Sequence, residues 1–300
     1  MSRIFEDAKA KIKDRKLKLV MPEGNDPRIH EAAILLQREQ LAEPILFTGR
    51  APEPTRHAIK HVLARRPNLE DDTARRLLAK PLYAAASMVA TGDADALLAG
   101  VENPTSRVIA ASLLIIGLKE GFKTPSSFFL MQWPDRQLIF ADCAVNVQPD
   151  SEQLADIAIA SALSAVAILC VDPLVAFLSF STQGSAQHAD VEKVTHALHI
   201  ARLRAPFFNF DGEFQADTAL SAASAAKKLK MPSKVAGQAN VLIFPDLDAG
   251  NIAYKIAQYL GGAKAVGPIL QGFAKPVSDV SRGASVAEIV DTAVLLLAMV

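Results

Sequence analysis

Short apolar runs alternate along this chain with longer stretches patterned for helices. Leu17–Met21 (LKLVM) predicts a strand that stops at Pro22-Glu23-Gly24. A helix is expected from about Pro27, with Asp26 as N-cap and Pro27 in the first helical position. Glu43–Thr48 predicts a second strand, closed by Gly49, and Pro52 to Lys80 reads as helical or irregular cover rich in Arg and Ala. Ala94–Ala99 (ADALLA) predicts a buried strand, followed by Gly100 and a helix from about Pro104. Ser126–Gln132 and Gln137–Ala141 predict two more strands around a Trp133-Pro134-Asp135 turn.

A second series starts near Gln148. Glu152–Leu169 reads as a strongly apolar helix, and Leu174–Phe180 as a strand ending in the polar loop Ser181–Ser185 (STQGS). Asp190–Leu203 predicts an amphipathic helix, Phe207–Phe210 a strand, and Phe214–Leu229 an Ala-rich helix. Asn240–Phe244 predicts a strand, Asn251–Leu260 a helix and Ala265–Leu270 a strand. A loop holding Lys275-Pro276 follows, then a last helix from about Ser285. Strands alternating with helices at this spacing imply parallel sheets of βαβ units. Two such series imply two α/β domains, and in open α/β sheets ligands sit beyond the carboxyl ends of the strands.

Composition narrows the class. At 300 residues a chain usually splits into two cores. Lys plus Arg and Asp plus Glu both number 32, and this neutral balance argues against a nucleic-acid binder, which needs a basic excess. Two cysteines, Cys143 and Cys170, do not make a disulfide scaffold, and a reducing cytoplasm is the simple reading. The charged start MSRIFEDAKAKIKDRK has no apolar core and does not read as a signal peptide. The apolar stretch Leu154–Cys170 is interrupted by Asp156 and serines, so a buried helix is expected there rather than a membrane span.

The last third carries the most specific text: NVLIFPDLDAGN from Asn240, continuing IAYKIAQYL, then GPILQGFAKPVSDVSRG from Gly267 to Gly283. Upstream stand FDGEFQADTAL (Phe210–Leu220) and FSTQGSA (Phe180–Ala186). In this order the motifs resemble the phosphate acetyltransferase family, within the wider phosphate acetyl/butyryltransferase group. The resemblance runs from about Met21 to the C-terminus, and the wording of the Ser-Arg loop favours the acetyl branch. It implies two α/β domains, each with a mainly parallel sheet flanked by helices, of the isocitrate/isopropylmalate dehydrogenase kind, with the active site in the interdomain cleft. The expected division is residues 1–144 plus 277–300, carrying the Ser-Arg loop, and 145–276. Relative to the family, the first domain reads as short between Gly49 and Tyr83.

The implied reaction is acetyl phosphate plus coenzyme A giving acetyl-CoA plus phosphate, reversibly. The partners implied are therefore coenzyme A or acetyl-CoA, acetyl phosphate and phosphate, with coenzyme A a substrate and no cofactor or metal. A homodimer is the family expectation, with no nucleic-acid or membrane partner. The chemistry asks for a base near a thiol whose ordinary pKa is about 8.5. It asks also for a donor facing the carbonyl oxygen and an arginine fork for the phosphate. By resemblance Ser281 is the hydroxyl that bonds the thiol or oxyanion, and Arg282 grips the acyl phosphate. The family places an aspartate seven residues after that serine as thiol base. Glu288 stands there in this chain, with Asp291 as a nearby alternative. Arg107 matches a second phosphate-binding arginine at a helix start. Ser181, Thr182, Gly184 and Ser185 are expected near the phosphate or the coenzyme A arm, and Asn251 at the cleft. A lysine or glycine is common where Gln183 stands, so direct charge is missing there.

Plainer readings compete. Ser-Arg-Gly alone is an ordinary loop, Arg107 alone a solvated helix residue and Glu288 alone a surface carboxylate. Cys143 and Cys170 read as buried small hydrophobes. His196 and His199 share a helix face with no third metal ligand in sight, and Asp211 and Asp217 suit structural capping as well as a cleft loop. Three rival functions remain open at this stage. One is a butyryl- or propionyl-specific transferase. Another is a hydroxy-acid dehydrogenase, for which no GxGxxG follows a strand. The third is a catalytically silent acetyl-CoA-binding module, which the Glu288 exchange favours.

Overall fold

A computed structural model describes residues 3–300, which form two compact units. The first runs to Gly121 and resumes at Gly267, and the second spans Phe122–Val266. The crossings therefore fall at 121/122 and 266/267, whereas the sequence placed them at 144/145 and 276/277. The reason for the earlier crossing is strand pairing: Gln137–Ala141 lies parallel to Val241–Ile243, so its strand belongs with the second unit.

In the first unit the elements are, in order, α1 (Arg3–Ile12), β1 (Lys18–Met21), α2 (Pro27–Arg38), β2 (Glu43–Leu46), α3 (Arg56–Arg65), α4 (Asp71–Leu78), α5 (Pro81–Thr91), β3 (Ala96–Ala99) and α6 (Thr105–Ile115). The second unit supplies β4 (Ser126–Gln132), β5 (Gln137–Ala141), α7 (Ser151–Leu169), β6 (Leu174–Leu178), α8 (Ala189–Arg204), β7 (Asn209–Phe214), α9 (Ala216–Leu220), α10 (Ala222–Lys228), β8 (Val241–Ile243) and α11 (Leu247–Tyr259). The chain then runs through β9 (Lys264–Gln271), β10 (Val277–Asp279) and α12 (Val286–Ala298).

The first unit's strands lie in the order β2-β1-β3-β10-β9, parallel except for the antiparallel β10–β9 pair. Its core is built from β1, β3 and the inner helix faces: Leu19, Met21, Leu97, Leu98, Ile29 and Leu36 are essentially inaccessible. Asp26 caps α2 by accepting from Arg28 N, with Pro27 next to it, as the sequence predicts. Two elements are not legible in the sequence pattern. α1 buries Ile4, Phe5, Ala8 and Ile12, a stripe at helical spacing, and packs on α12, where the Lys11 ammonium bonds the Ala298 carbonyl. β10 is a three-residue strand inside the stretch expected as loop, inserted between β3 and β9.

The second unit's strands run β4-β5-β8-β6-β7, with β4–β5 antiparallel and the rest parallel. Its core gathers Phe129, Met131, Phe140, Phe214 and Phe244, with the Phe129 and Tyr254 rings stacked at 4.1 Å. α7 is long and apolar enough to cross a bilayer, but most of its residues are packed inside this unit, and its interior Asp156 is bonded by Arg204 at 2.6 Å. The strand expected at Phe207–Phe210 begins two residues later and continues to Phe214, because β7 pairs with β6 along Asn209–Phe214. The helix expected over Phe214–Leu229 is two helices, broken at Ser221, whose side chain caps α10.

Candidate active site

The register Asp279↔Ala99 sets the carboxyl ends of β3 and β10 side by side. Two loops leave from these neighbouring points: one leads into α6 and Arg107, and the other carries Ser281 and Arg282. Ser281 and Arg282 are both exposed. The Ser281 hydroxyl oxygen accepts from Gly283 N at 3.3 Å, which leaves its own proton free to donate. The Arg282 guanidinium makes no hydrogen bond or ion pair among the described residues, whereas its backbone is held firmly. Arg28 donates from Nη1 to the Arg282 carbonyl at 2.7 Å and to the Ala284 carbonyl at 3.0 Å. Arg28 is itself fixed by a two-pronged bond to Asp26, and that bond holds the Asp26 carboxyl below its usual range. The sequence singled out Asp26 only as a cap, and the clamp on the Ser-Arg loop emerges from the fold.

Glu288 sits in the first turn of α12 in a capping box. Its Oε2 accepts from Ser285 N at 2.8 Å and from Ser285 Oγ at 2.9 Å, and Ser285 Oγ accepts from Glu288 N at 3.3 Å. Asp291 lies one turn further on and is half-buried.

Arg107 stands in the first turn of α6, exposed, and its side chain has no bonded partner among the described residues. The loop before it is organised by Glu23, a buried carboxylate that in the sequence is only part of a strand terminus. Glu23 Oε2 accepts from Gly100 N and Val101 N, both at 2.9 Å. Its Oε1 accepts from Glu102 N at 3.2 Å and from Asn103 N and Nδ2, both at 2.8 Å. Glu23, Asn103 and Arg107 line a cavity of about 590 Å³ together with Asn25, Lys80 and Tyr83. Lys80 and Arg107 supply two cations, at the starts of α5 and α6, and neither helix start is capped by a side chain. Uncapped N–H groups with cations nearby suit an anion.

Below the two loops lies Asp279, only 3% exposed. Burial pushes its carboxyl up to about 6, and Glu23 adds to the rise; a hydrogen bond from the Thr105 side chain and the charge of Arg282 oppose it. Its Oδ1 has no hydrogen-bond partner among the described residues. Gly100 faces it so closely that a Cβ there would stand 2.5 Å from Oδ1 and 2.3 Å from the Val280 carbonyl oxygen, at a φ of +120°.

The remaining predicted residues lie in the second unit, and their polar groups are largely spent on its own backbone. Ser181 is fully buried and donates to Glu213 Oε1 at 2.7 Å, an oxygen that also accepts from Gly184 N at 2.8 Å. Thr182 Oγ1 accepts from Gln215 N at 2.9 Å, and Ser185 Oγ accepts from Thr182 N at 3.0 Å. Gly184 turns the loop at a φ of +79°, after Gln183 at +47°. Asn251 donates through Nδ2 to the Cys143 carbonyl at 3.0 Å and so pins the segment after β5.

Burial raises the Cys143 thiol well above its ordinary value, so it is no thiolate at neutral pH. Cys170 is exposed at the end of α7. His196 and His199 are exposed on α8, and no cluster of three or more metal-ligating side chains occurs among the described residues. Asp211 pairs with Arg202 and Asp217 with Lys228, both structural ties.

The profile described as "Phosphate acetyl/butaryl transferase" matches residues 53–297. A phosphate acetyltransferase from Bacillus subtilis is 38% identical over 319 residues, spanning 98% of each chain. The crystal structure of a phosphotransacetylase from Streptococcus pyogenes superposes with a TM-score of 0.92 at 37% identity, covering 99% of this chain and 98% of that one. A putative 4-hydroxythreonine-4-phosphate dehydrogenase from Salmonella typhimurium shares the fold alone, at 13% identity and a TM-score of 0.56. With Ser281, Arg282 and Arg107 set on loops from adjacent strand ends and similarity running the length of the chain, this protein belongs to the phosphate acetyl/butyryl transferase family.

Proposed function

We propose that this chain is a phosphate acetyltransferase that moves an acetyl group reversibly between acetyl phosphate and coenzyme A. One observation carries the reading. Arg282 and Arg107, each with a guanidinium free of bonded partners among the described residues, rise from the adjoining ends of β10 and β3. Arginine forks suit the oxygens of a phosphoryl group.

In the forward direction the coenzyme A thiol gives its proton to Glu288, through the oxygen not committed to the capping box. The sulfur attacks the acetyl carbon, a C–S bond forms, and the carbonyl oxygen gains charge opposite the Ser281 hydroxyl. The C–O bond to phosphate then breaks, and the electron pair leaves on a phosphate held by Arg282 and Arg107. A hydroxyl in this role is worth about 3–4 kcal/mol of transition-state stabilisation. No redox step occurs, so no cofactor is called for; Ser181, Thr182, Gly184, Ser185 and Asn251 are assigned to shaping the coenzyme A side. The acetyl preference rests on the relatives' names and on a cavity wall that is mostly polar around Arg107. Residence in the cytoplasm and a homodimer complete the reading; α11 carries an exposed apolar stripe of Ile252, Ile256 and Tyr259, extended by Leu260 just past its end, that a second copy would cover.

The test follows thioester absorbance with purified protein, coenzyme A and acetyl, propionyl or butyryl phosphate. Acetyl phosphate is expected to turn over fastest. Faster turnover of butyryl phosphate would move the chain to the butyryl branch, and tight acetyl-CoA binding without turnover would make it a silent module.

A further inference from the structure

Buried carboxylates in this fold have their oxygens taken. Glu23 receives five N–H donors, and Asp142 receives Ser127 N, Asn146 N and Asn146 Nδ2 among others. Asp156 accepts from Lys123 N, Thr124 N and Arg204. Among the described residues Asp279 is the exception: just as deeply placed, it has an oxygen with nothing bonded to it.

The charges that reach it are few and well defined. Glu23, from the turn after β1, repels its negative form; Arg282, three residues along its own loop, attracts it without a hydrogen bond. From α6 comes the neutral Thr105 hydroxyl. At the start of α2, Arg28 and Asp26 neutralise one another in a two-pronged pair. At the start of α12, Glu288 is turned toward Ser285. Glu23 has its oxygens filled by N–H donors, so of these two carboxylates Asp279 holds the open acceptor.

Resting on the reading of Arg282 as a phosphate ligand, we propose that Asp279 is the proton-accepting partner of Arg282. Its carboxylate is held ionised in part by the guanidinium's charge when no anion is bound, and it takes up a proton from solvent when a phosphate or acyl phosphate binds there. The electrostatics give the sign. An anion on Arg282 cancels the one positive charge that favours ionised Asp279, leaving the Thr105 hydrogen bond, and adds a second negative neighbour beside Glu23. Only an O–H bond forms, and it breaks when the anion leaves. By reciprocity, a proton on Asp279 tightens anion binding as much as the anion tightens the proton.

Sulfate is the probe, because its own charge is constant across the range used. Calorimetric titration in two buffers of different ionisation enthalpy, from pH 5.5 to 8, counts the protons taken up. The wild-type protein is expected to absorb a fraction of a proton per sulfate near pH 7, and its affinity to rise several-fold as pH falls, by at most about tenfold per pH unit. In Asp279→Asn the uptake attributed to this site vanishes and the affinity is flat. In Arg282→Ala sulfate binding itself is lost.

Equal proton uptake in Asp279→Asn and wild type overturns the proposal while leaving the phosphate site standing. Sulfate binding that ignores Arg282→Ala, or no sulfate binding at all, overturns the site reading and the proposal together. Should Asp279→Asn fail to fold, a carbon-detected NMR titration of the wild-type carboxyl decides. Its midpoint moves upward with sulfate, and an unmoved midpoint rejects the proposal.

Discussion

Two polar loops follow parallel strands in this molecule and look alike as text: Ser181–Ser185 after β6, and Ser281–Ser285 after β10. In the first, hydroxyls and amides are spent on Glu213 and on the loop itself, and Ser181 and Thr182 are buried. In the second, Ser281 keeps a free proton, the Arg282 guanidinium has no bonded partner among the described residues, and only the backbone is clamped, by Arg28. The polarity of the text is similar; what differs is how much of it the fold has already consumed. A loop whose groups are satisfied is scaffold, and a rigid loop whose groups are unsatisfied is ready for a ligand.

The sharpest way to break this contrast is Arg282→Ala. We expect kcat/KM for acetyl phosphate to fall about 10³-fold, as loss of a charge-stabilising donor does, with the midpoint of thermal unfolding unchanged. Full turnover in this variant would erase the distinction between the loops. The opposite outcome is expected at Glu213→Ala, which leaves the Ser181 hydroxyl and Gly184 N–H without their acceptor in the second unit. Stability should drop by about 3 kcal/mol in urea unfolding, while Glu213→Gln, which keeps an accepting oxygen, should lose much less.

Glu288→Gln comes next. Glutamine preserves the capping box, so folding should hold while turnover falls about 10²-fold. Unchanged turnover would hand the base role to Asp291 or to solvent.

The smallest effect concerns Asp279. Its carboxyl is raised in the folded protein to about 6, so the stability it lends is fully present below about pH 4 and lost as pH rises through about 6. The variant Asp279→Asn should therefore gain relative to wild type above pH 6, by about 2 kcal/mol. Parallel pH–stability curves for the two proteins would contradict the assigned burial cost.

The alternation of apolar and helical stretches placed most strands and the larger helices within a few residues. Asp26-Pro27 marked the start of α2 because a cap is a local device whose partner lies two residues away. The Ser-Arg loop was legible through its wording, and Arg107 through its place at a helix start. β10 was not, because three residues show no period of their own and become a strand only by pairing with β3 and β9. The split at Ser221 is not legible in the sequence because Ala-rich text suits one helix as well as two.

Sequence by itself settled the α/β class and the family, and it named the residues proposed to meet the phosphate, since these rest on periodicity and contiguous motifs. Tertiary structure decided which carboxylates matter. Glu23 finds its donors 77 to 80 residues away, Arg28 reaches 254 residues to Arg282, and Asp279 is unusual for what it lacks rather than for what it is. Hydrogen-bond satisfaction and burial are properties of packing between distant segments, and no local reading of the chain contains them.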